Sequence, residues 1–322
     1  MWLRVLILLA GICFFPMKSY AVSCTVSPTT NISFGTPNPL STTDILTSVQ
    51  LNYRCVKGLD ILSSALVCFN IAAGSNGATD PRRMTSGANT LNYQLYQNAG
   101  RTIVWGNLNT ANFSAPSIRW TLLNLELLET SGTLTLYAKI PGGQTSVIPG
   151  SYQEMFTTGT ATITIKFNPS ASDTTCGTQI VGSFAFNVSA TVNKQCNVSV
   201  ATDVNLGPVP HTQTNTQGTT SFGTTCTNTT AYSIGLSPSN NSTTGSGVMK
   251  SKSNSATNTD LVPYQLNSTA GVGGTPWGSL APNTVAGTGT GLAVNRTVYV
   301  VAPSANYRPD DYTDTVTINV TY

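Results

Sequence analysis

The sequence predicts an all-β protein built from two copies of one β-sandwich domain. Helical periodicity is nearly absent. Short runs of alternating apolar and polar residues recur roughly every ten to twenty positions, with Gly, Pro, Asn and Asp between them, which is the pattern of a sandwich. The landmarks of the first half also return in order in the second. Cys24, in SCTVS, is followed by Cys55 thirty-one residues on, and Cys196, in QCNVSV, by Cys226 thirty residues on. Met84 precedes LNYQLY and then Trp105-Gly106, and Met249 precedes VPYQL and then Trp277-Gly278. YAKIPGGQTSVIPGSYQEMFTTGTATITIKF near the end of the first half matches YVVAPSANYRPDDYTDTVTINVTY at the end of the second.

Residues 1–21 carry Arg4, an apolar run from Val5 to Phe15, and Ser19-Tyr20-Ala21 as a small-x-Ala cleavage site. This is the pattern of a signal peptide, and the run is too short to span a bilayer. Candidate strands of the first half follow at 24–34, 47–56, 65–73, 91–97, 102–106, 133–140, 157–167 and 179–193. The stretch TLLNLELLET, 121–130, fits a short helix through Leu122, Leu125 and Leu128, or a strand through Leu123, Leu125 and Leu127, with strand or extended loop preferred. In 179–193, Phe184, Phe186, Val188, Ala190 and Val192 alternate with polar or small residues, the pattern of a half-buried strand. Nothing comparable follows Val320. The expected domains are 22–193, closed by its own strand 179–193, and 194–322, without its last strand.

Removing the signal peptide removes Cys13 and leaves six cysteines in a compartment that permits disulfides. The repeat pairs Cys24 with Cys55 and Cys196 with Cys226. Each would close a loop worth roughly 3–4 kcal/mol in the chain-entropy model. Cys68 and Cys176 remain, and either pair with each other or stay as buried thiols.

Charged residues make up 8% of the chain, and the net charge of +3 is spread thinly. Without a basic cluster, nucleic-acid binding has no electrostatic basis. The Thr-, Ser-, Asn- and Gly-rich stretches 212–230 and 237–259 read as long polar loops and solvent-facing strand positions. Catalysis finds little support. His211, the single histidine, lies in a Pro- and Thr-rich loop without a nearby carboxylate, and GxSxG, P-loop and HExxH motifs are absent. Asp310, Asp311 and Asp314 lack the spacing of a calcium loop and read as turn residues. The GTGTG of 287–291 has no helix after it and reads as a flexible loop. The chain is expected to be a non-enzyme without metal or cofactor.

The residues just compared resemble the spore coat U domain family, the subunits of archaic, Csu-type chaperone-usher pili. The resemblance rests on SCTVS, the second cysteine about thirty residues on, the RRM, LNYQLY and WG series, and the terminal elements Pro149-Gly150-Ser151-Tyr152 and Arg308-Pro309-Asp310-Asp311-Tyr312-Thr313-Asp314-Thr315-Val316. The second copy departs from it in lacking Arg-Arg before Met249 and in reading VPYQLN. The resemblance implies immunoglobulin-like sandwiches that lack a final strand, a periplasmic chaperone, an outer-membrane usher, and a neighbouring pilin that donates the missing strand. Because Ser23 and Cys24 follow the cleavage site at once, no N-terminal extension is expected to be free for donation. A subunit that receives but does not donate is expected at the pilus tip, on the cell surface, as in the family's two-domain tip adhesins.

Adhesion is expected at the pole of the first domain remote from the second, where the loops 57–64 and 107–132 are unusually apolar. Leu59, Ile61, Leu62, Phe113, Ile118 and Trp120 are the candidate surface-binding residues, for an abiotic or host surface. The alternative for these side chains is that they fill the core. Val147-Ile148-Pro149 is a rival site at the opposite pole, while Trp105 and Trp277 are expected in the core. The expected function is a pilus tip adhesin that mediates attachment and biofilm formation. A structural spore-coat or matrix protein, and a carbohydrate-binding lectin with a pocket in the first domain, are the alternatives.

Overall fold

The computed structural model describes residues 22–27, 31–57, 64–107, 113–121, 129–199 and 202–322. In the first half the strands are β1 (Ser23–Val26), β2 (Ile32–Ser33), β3 (Ile45–Val56), β4 (Ser64–Ile71), β5 (Arg82–Ser86), β6 (Asn89–Tyr96), β7 (Ser117–Thr121), β8 (Glu129–Ile140), β9 (Gly150–Phe156), β10 (Ala161–Phe167), β11 (Gln179–Ser183) and β12 (Phe186–Val192). They form one eight-stranded sheet, β1-β3-β8-β6-β5-β9-β12-β2, and one four-stranded sheet, β11-β10-β4-β7. The second half supplies β13 (Cys196–Val198), β14 (Thr214–Cys226), β15 (Ala231–Pro238), β16 (Ser246–Ser251), β17 (Leu261–Asn267), β18 (Val285–Thr288), β19 (Ala293–Ser304), β20 (Tyr312–Thr313) and β21 (Val316–Thr321). These build a six-stranded sheet, β13-β14-β19-β17-β16-β20, facing a three-stranded one, β18-β15-β21. The fold is all-β, two sandwiches in one chain.

Period-two alternation explains most of these elements. Along β12, Phe186, Val188, Ala190 and Val192 are buried and the residues between them are not. The Thr-rich stretch 212–230 contains the thirteen-residue β14, whose β-branched side chains suit a pleated surface. Each half has its own core. In the first it includes Leu51, Tyr93, Trp105, Leu136 and the stacked pair Phe156 and Phe186, whose rings lie 4.5 Å apart. The second gathers round Phe222, Ile234, Leu266 and Trp277. The two tryptophans are equivalent anchors: the Trp105 indole donates to the Phe69 carbonyl at 2.7 Å and the Trp277 indole to that of Ile234 at 2.9 Å.

The six cysteines among the described residues are all paired, Cys24 with Cys55, Cys196 with Cys226 and Cys68 with Cys176. The first two bridge directly opposed residues of neighbouring strands. The third ties the segment before β11 to β4.

Several strand expectations change. The stretch 179–193 is two strands, not one: β11 pairs with β10 in the smaller sheet and β12 with β9 in the larger. Chain reversal is not needed for this crossing, so the alternation runs on through it. The stretch 157–167 likewise begins as a turn and becomes β10 only at Ala161, while β9 before it lies in the other sheet. Residues 102–106 form no strand, only a bridge from Val104 to Tyr96. Leu122, Leu123, Leu125, Leu127 and Leu128 of the ambiguous stretch lie outside the described residues.

Contacts between the halves orient the first. The Asn228 amide donates to the Ser146 carbonyl at 2.8 Å, and a Cβ on Gly291 would sit 1.9 Å from the Thr145 carbonyl oxygen. Gly291 has φ +75° and is therefore favoured twice over at this approach. The GTGTG segment thus packs against the first half. Val147 of the rival apolar site is buried beside this contact. Ile140 precedes that loop and pairs with Ile45, so the other ends of β3 and β8, Val56 and Glu129, point away from the second half.

Candidate functional site: an uncovered sheet edge

The two sandwiches differ most where β9–β10 and β20–β21 cross between sheets. In the first, the outer edge of β10 is covered by β11 and that of β9 by β12. In the second, among the described residues, β21 pairs on one side with β15 and β20 pairs on one side with β16. The outer edges of both are uncovered, and an uncovered edge presents unpaired N–H and C=O groups.

Side-chain burial follows the same division. Phe69 and Ile234 accept from equivalent tryptophans, and they pair with Ile163 and Val320 respectively. By this register Ala161 corresponds to Ile318. Ala161 and Ile163 are both 0% exposed, whereas Val316, Ile318 and Val320 pack on the core yet stay half-buried. Met84 and Tyr152 are buried in the first domain, and their counterparts Met249 and Tyr312 are half-buried in the second.

One polar pair sits at each crossing. Tyr93 donates to Glu154, which is 0% exposed, and the Tyr264 hydroxyl donates to the half-buried Asp314 at 2.6 Å. Burial raises the Glu154 carboxyl above the usual range, opposed by the Tyr93 hydrogen bond and the Arg82 charge. Both phenols are pushed up by burial first and by the partner carboxylate second. Arg82 donates to the carbonyls of Ala72, Ile71 and Trp105. Its counterpart is Gly247, where the Tyr264 ring leaves no room for a Cβ. These pairs escaped the sequence reading, although both lie at matching positions of the repeat.

Asp310 accepts hydrogen bonds from Ser251, Asn254 and Asn258, which hold its carboxyl down to about 2. It is a turn residue, and among the described residues no group of three His, Cys, Asp or Glu is placed to hold a metal ion.

The candidate surface-binding residues are not brought together. Leu59, Ile61 and Leu62 lie outside the described residues. Phe113 is half-buried against Gly106, beside Trp105. Ile118 is half-buried against the core, and Trp120, 5% exposed, is part of it. The side chain of Trp120 therefore faces inward from β7, because Trp120 and Ala65 pair on the core face of the smaller sheet. Residues that flank the apolar loops do share one end: Ser64 pairs with Thr121 and Val56 with Glu129. The loop 168–178 is fixed at that end too, by Cys176, by Lys166 to Asp173 at 2.9 Å and by Arg119 to the Ala171 carbonyl at 3.2 Å.

Fold and site define a class: a pair of immunoglobulin-like sandwiches, one closed by its own strands and one with an uncovered edge. The model of the spore coat protein U domain matches residues 16–159 and again 183–319. The chain belongs to that family. No curated protein matches the sequence. Among solved structures it is similar to the chaperone-tip adhesion subunit complex CsuC-CsuE of Acinetobacter baumannii, with 20% identity, a TM-score of 0.51, and coverage of 93% of this chain and 100% of that one. It is also similar to the CupB6 tip adhesin of Pseudomonas aeruginosa, at 11% identity and a TM-score of 0.42 over 94% of this chain and 95% of that one. CfaE, the adhesive subunit of CFA/I fimbria of enterotoxigenic Escherichia coli, matches at 14% identity and a TM-score of 0.32, over 90% of this chain and 92% of that one.

Proposed function

We propose that this protein is a pilus adhesin, non-catalytic, exported through the periplasm and carried at the end of a cell-surface fibre. The observation that carries this reading is the contrast between the covered edge of β9–β10 and the uncovered edge of β20–β21. A strand donated by the next pilin subunit would pair the exposed backbone and cover Val316, Ile318 and Val320. Until then a periplasmic chaperone would hold the same edge, and an outer-membrane usher would conduct the subunit out. Since β11 and β12 cover the corresponding edge of the first domain, the described residues offer this acceptor edge once, which suits the terminal subunit of a fibre.

Adhesion is assigned to the pole of the first domain where Val56, Thr121 and Glu129 end their strands. Leu59, Ile61 and Leu62 on 57–64 supply the apolar surface, and Trp120 supports it from the core. Phe113, seated against Gly106 beside Ile71, lies at the opposite end of β4 from Ser64, and Ile118 packs on the core, so neither belongs to this surface. Burying such area against a hydrophobic surface yields about 25 cal/mol per Å² before association costs. Many fibres add avidity, and attachment of this kind starts a biofilm.

Immunogold labelling of this chain on intact cells tests the reading. Label at fibre ends, lost when the chaperone is deleted, is the expected result. Label along the shaft would remove the terminal position, and label without any fibre would remove the pilus.

A further inference from the structure

We propose that β11 and β12 are this chain's own copy of the segment that fits the uncovered edge of the second domain, and that the partner segment carries a glycine opposite Val320. This rests on the acceptor reading above and adds the chemistry of the partner.

Gly182 stands opposite Ile163 on β10, and Ile163 corresponds to Val320. A Cβ at Gly182 would lie 2.0 Å from the carbonyl oxygen of Cys24 and 2.9 Å from its carbon. Those atoms are backbone, and β1 cannot retreat easily because it is laddered to β3 and cross-linked at Cys24–Cys55. Cys196 occupies the same place in the second domain, opposite Cys226 and bonded to it. Any side chain on the partner at this point meets the Cys196 carbonyl.

The rest of the template is apolar at alternate positions. Phe184, Phe186, Val188, Ala190 and Val192 are all buried. The partner segment is extended, runs antiparallel to β21 and then β20, and crosses from the smaller sheet to the larger as β11 and β12 do.

Charge sets a further condition at one position. Val188 lies opposite Glu154, which feels the positive charge of Arg82. Asp314 has Gly247 where Glu154 has Arg82, so the partner residue that covers Asp314 can be neutral or basic but not acidic.

The test extends the full chain after Tyr322 with a flexible Gly/Ser linker and a copy of residues 179–193, read by calorimetry. The copy is expected to raise the melting temperature of the second domain by more than about 5 °C. Alanine at the copied position of Gly182 should remove most of that gain. Aspartate at the copied position of Val188 should remove it too, while lysine there should keep it. Equal stabilisation by the alanine version overturns the inference and leaves the acceptor reading standing. No gain from the copy, in a chain that still copurifies with a periplasmic chaperone, also overturns the template alone.

Discussion

The hydroxyl of Tyr264 donates to Asp314 at 2.6 Å, at the point where the chain leaves the larger sheet of the second domain for the smaller. The equivalent residues of the first domain, Tyr93 and Glu154, make the same contact fully covered by β12. The pair thus marks the boundary between a finished sandwich and an unfinished one.

Tyr264→Phe should cost the second domain about 1–2 kcal/mol at neutral pH, the usual loss for a hydrogen bond to a charged group discounted for the half-buried acceptor. It should also change the alkaline limb. The folded-state pKa of Tyr264 is raised by burial and by Asp314, so the native domain holds this proton more tightly than the unfolded chain. Its stabilising contribution is complete below about pH 10, the ordinary tyrosine value, and is lost as pH rises above it. Urea midpoints of wild type and variant between pH 8 and pH 11 should converge as pH rises. A constant gap would show that the proton is not held this way.

Arg82→Met should lower first-domain stability by about 3 kcal/mol or more. Arg82 is 1% exposed, and its guanidinium sits over the Phe156 ring at 5.3 Å from its centroid and satisfies three backbone carbonyls that Met would leave bare. The denaturation midpoint should fall with an unchanged m-value. The second domain's transition should not move.

Removing the third disulfide with Cys68→Ala and Cys176→Ala frees a connection of 108 residues. The chain-entropy model puts its worth at about 4–5 kcal/mol, or roughly 10 °C in a domain of this size. Calorimetry should place the whole shift in the first transition. A shift below about 2 °C would mean that the Lys166, Asp173 and Arg119 contacts hold the 168–178 loop without it.

What could be read in the sequence, and what could not, follows from what alternation reports. Strands β3 and β8 and both repeated disulfides were legible, since a twelve-residue alternating run and a doubled cysteine spacing have few other readings. The short strands β5, β7 and β9 were not expected, because five to seven residues between turns carry too little pattern. Alternation also tells which side of a strand is covered, not which sheet it joins. That is why 179–193 read as one strand while the chain changes sheets at Ala185. Trp120 shows the same limit from another side: an apolar residue near a loop reads alike whether it points to solvent or, as here, to the core.

The burial of Trp120 separates two outcomes at the adhesive pole. Trp120→Ala should cost about 3–5 kcal/mol as a core truncation and lower both melting temperature and fibre yield. Leu59→Asp combined with Leu62→Asp should leave the melting temperature within about 2 °C of wild type, keep fibres assembled, and abolish attachment to polystyrene, because a charge must be desolvated wherever the leucine would have been buried against the surface. Crystal-violet staining of attached cells, normalised to fibre number, measures this. Undiminished attachment by the double variant would move the adhesive site off the 57–64 loop.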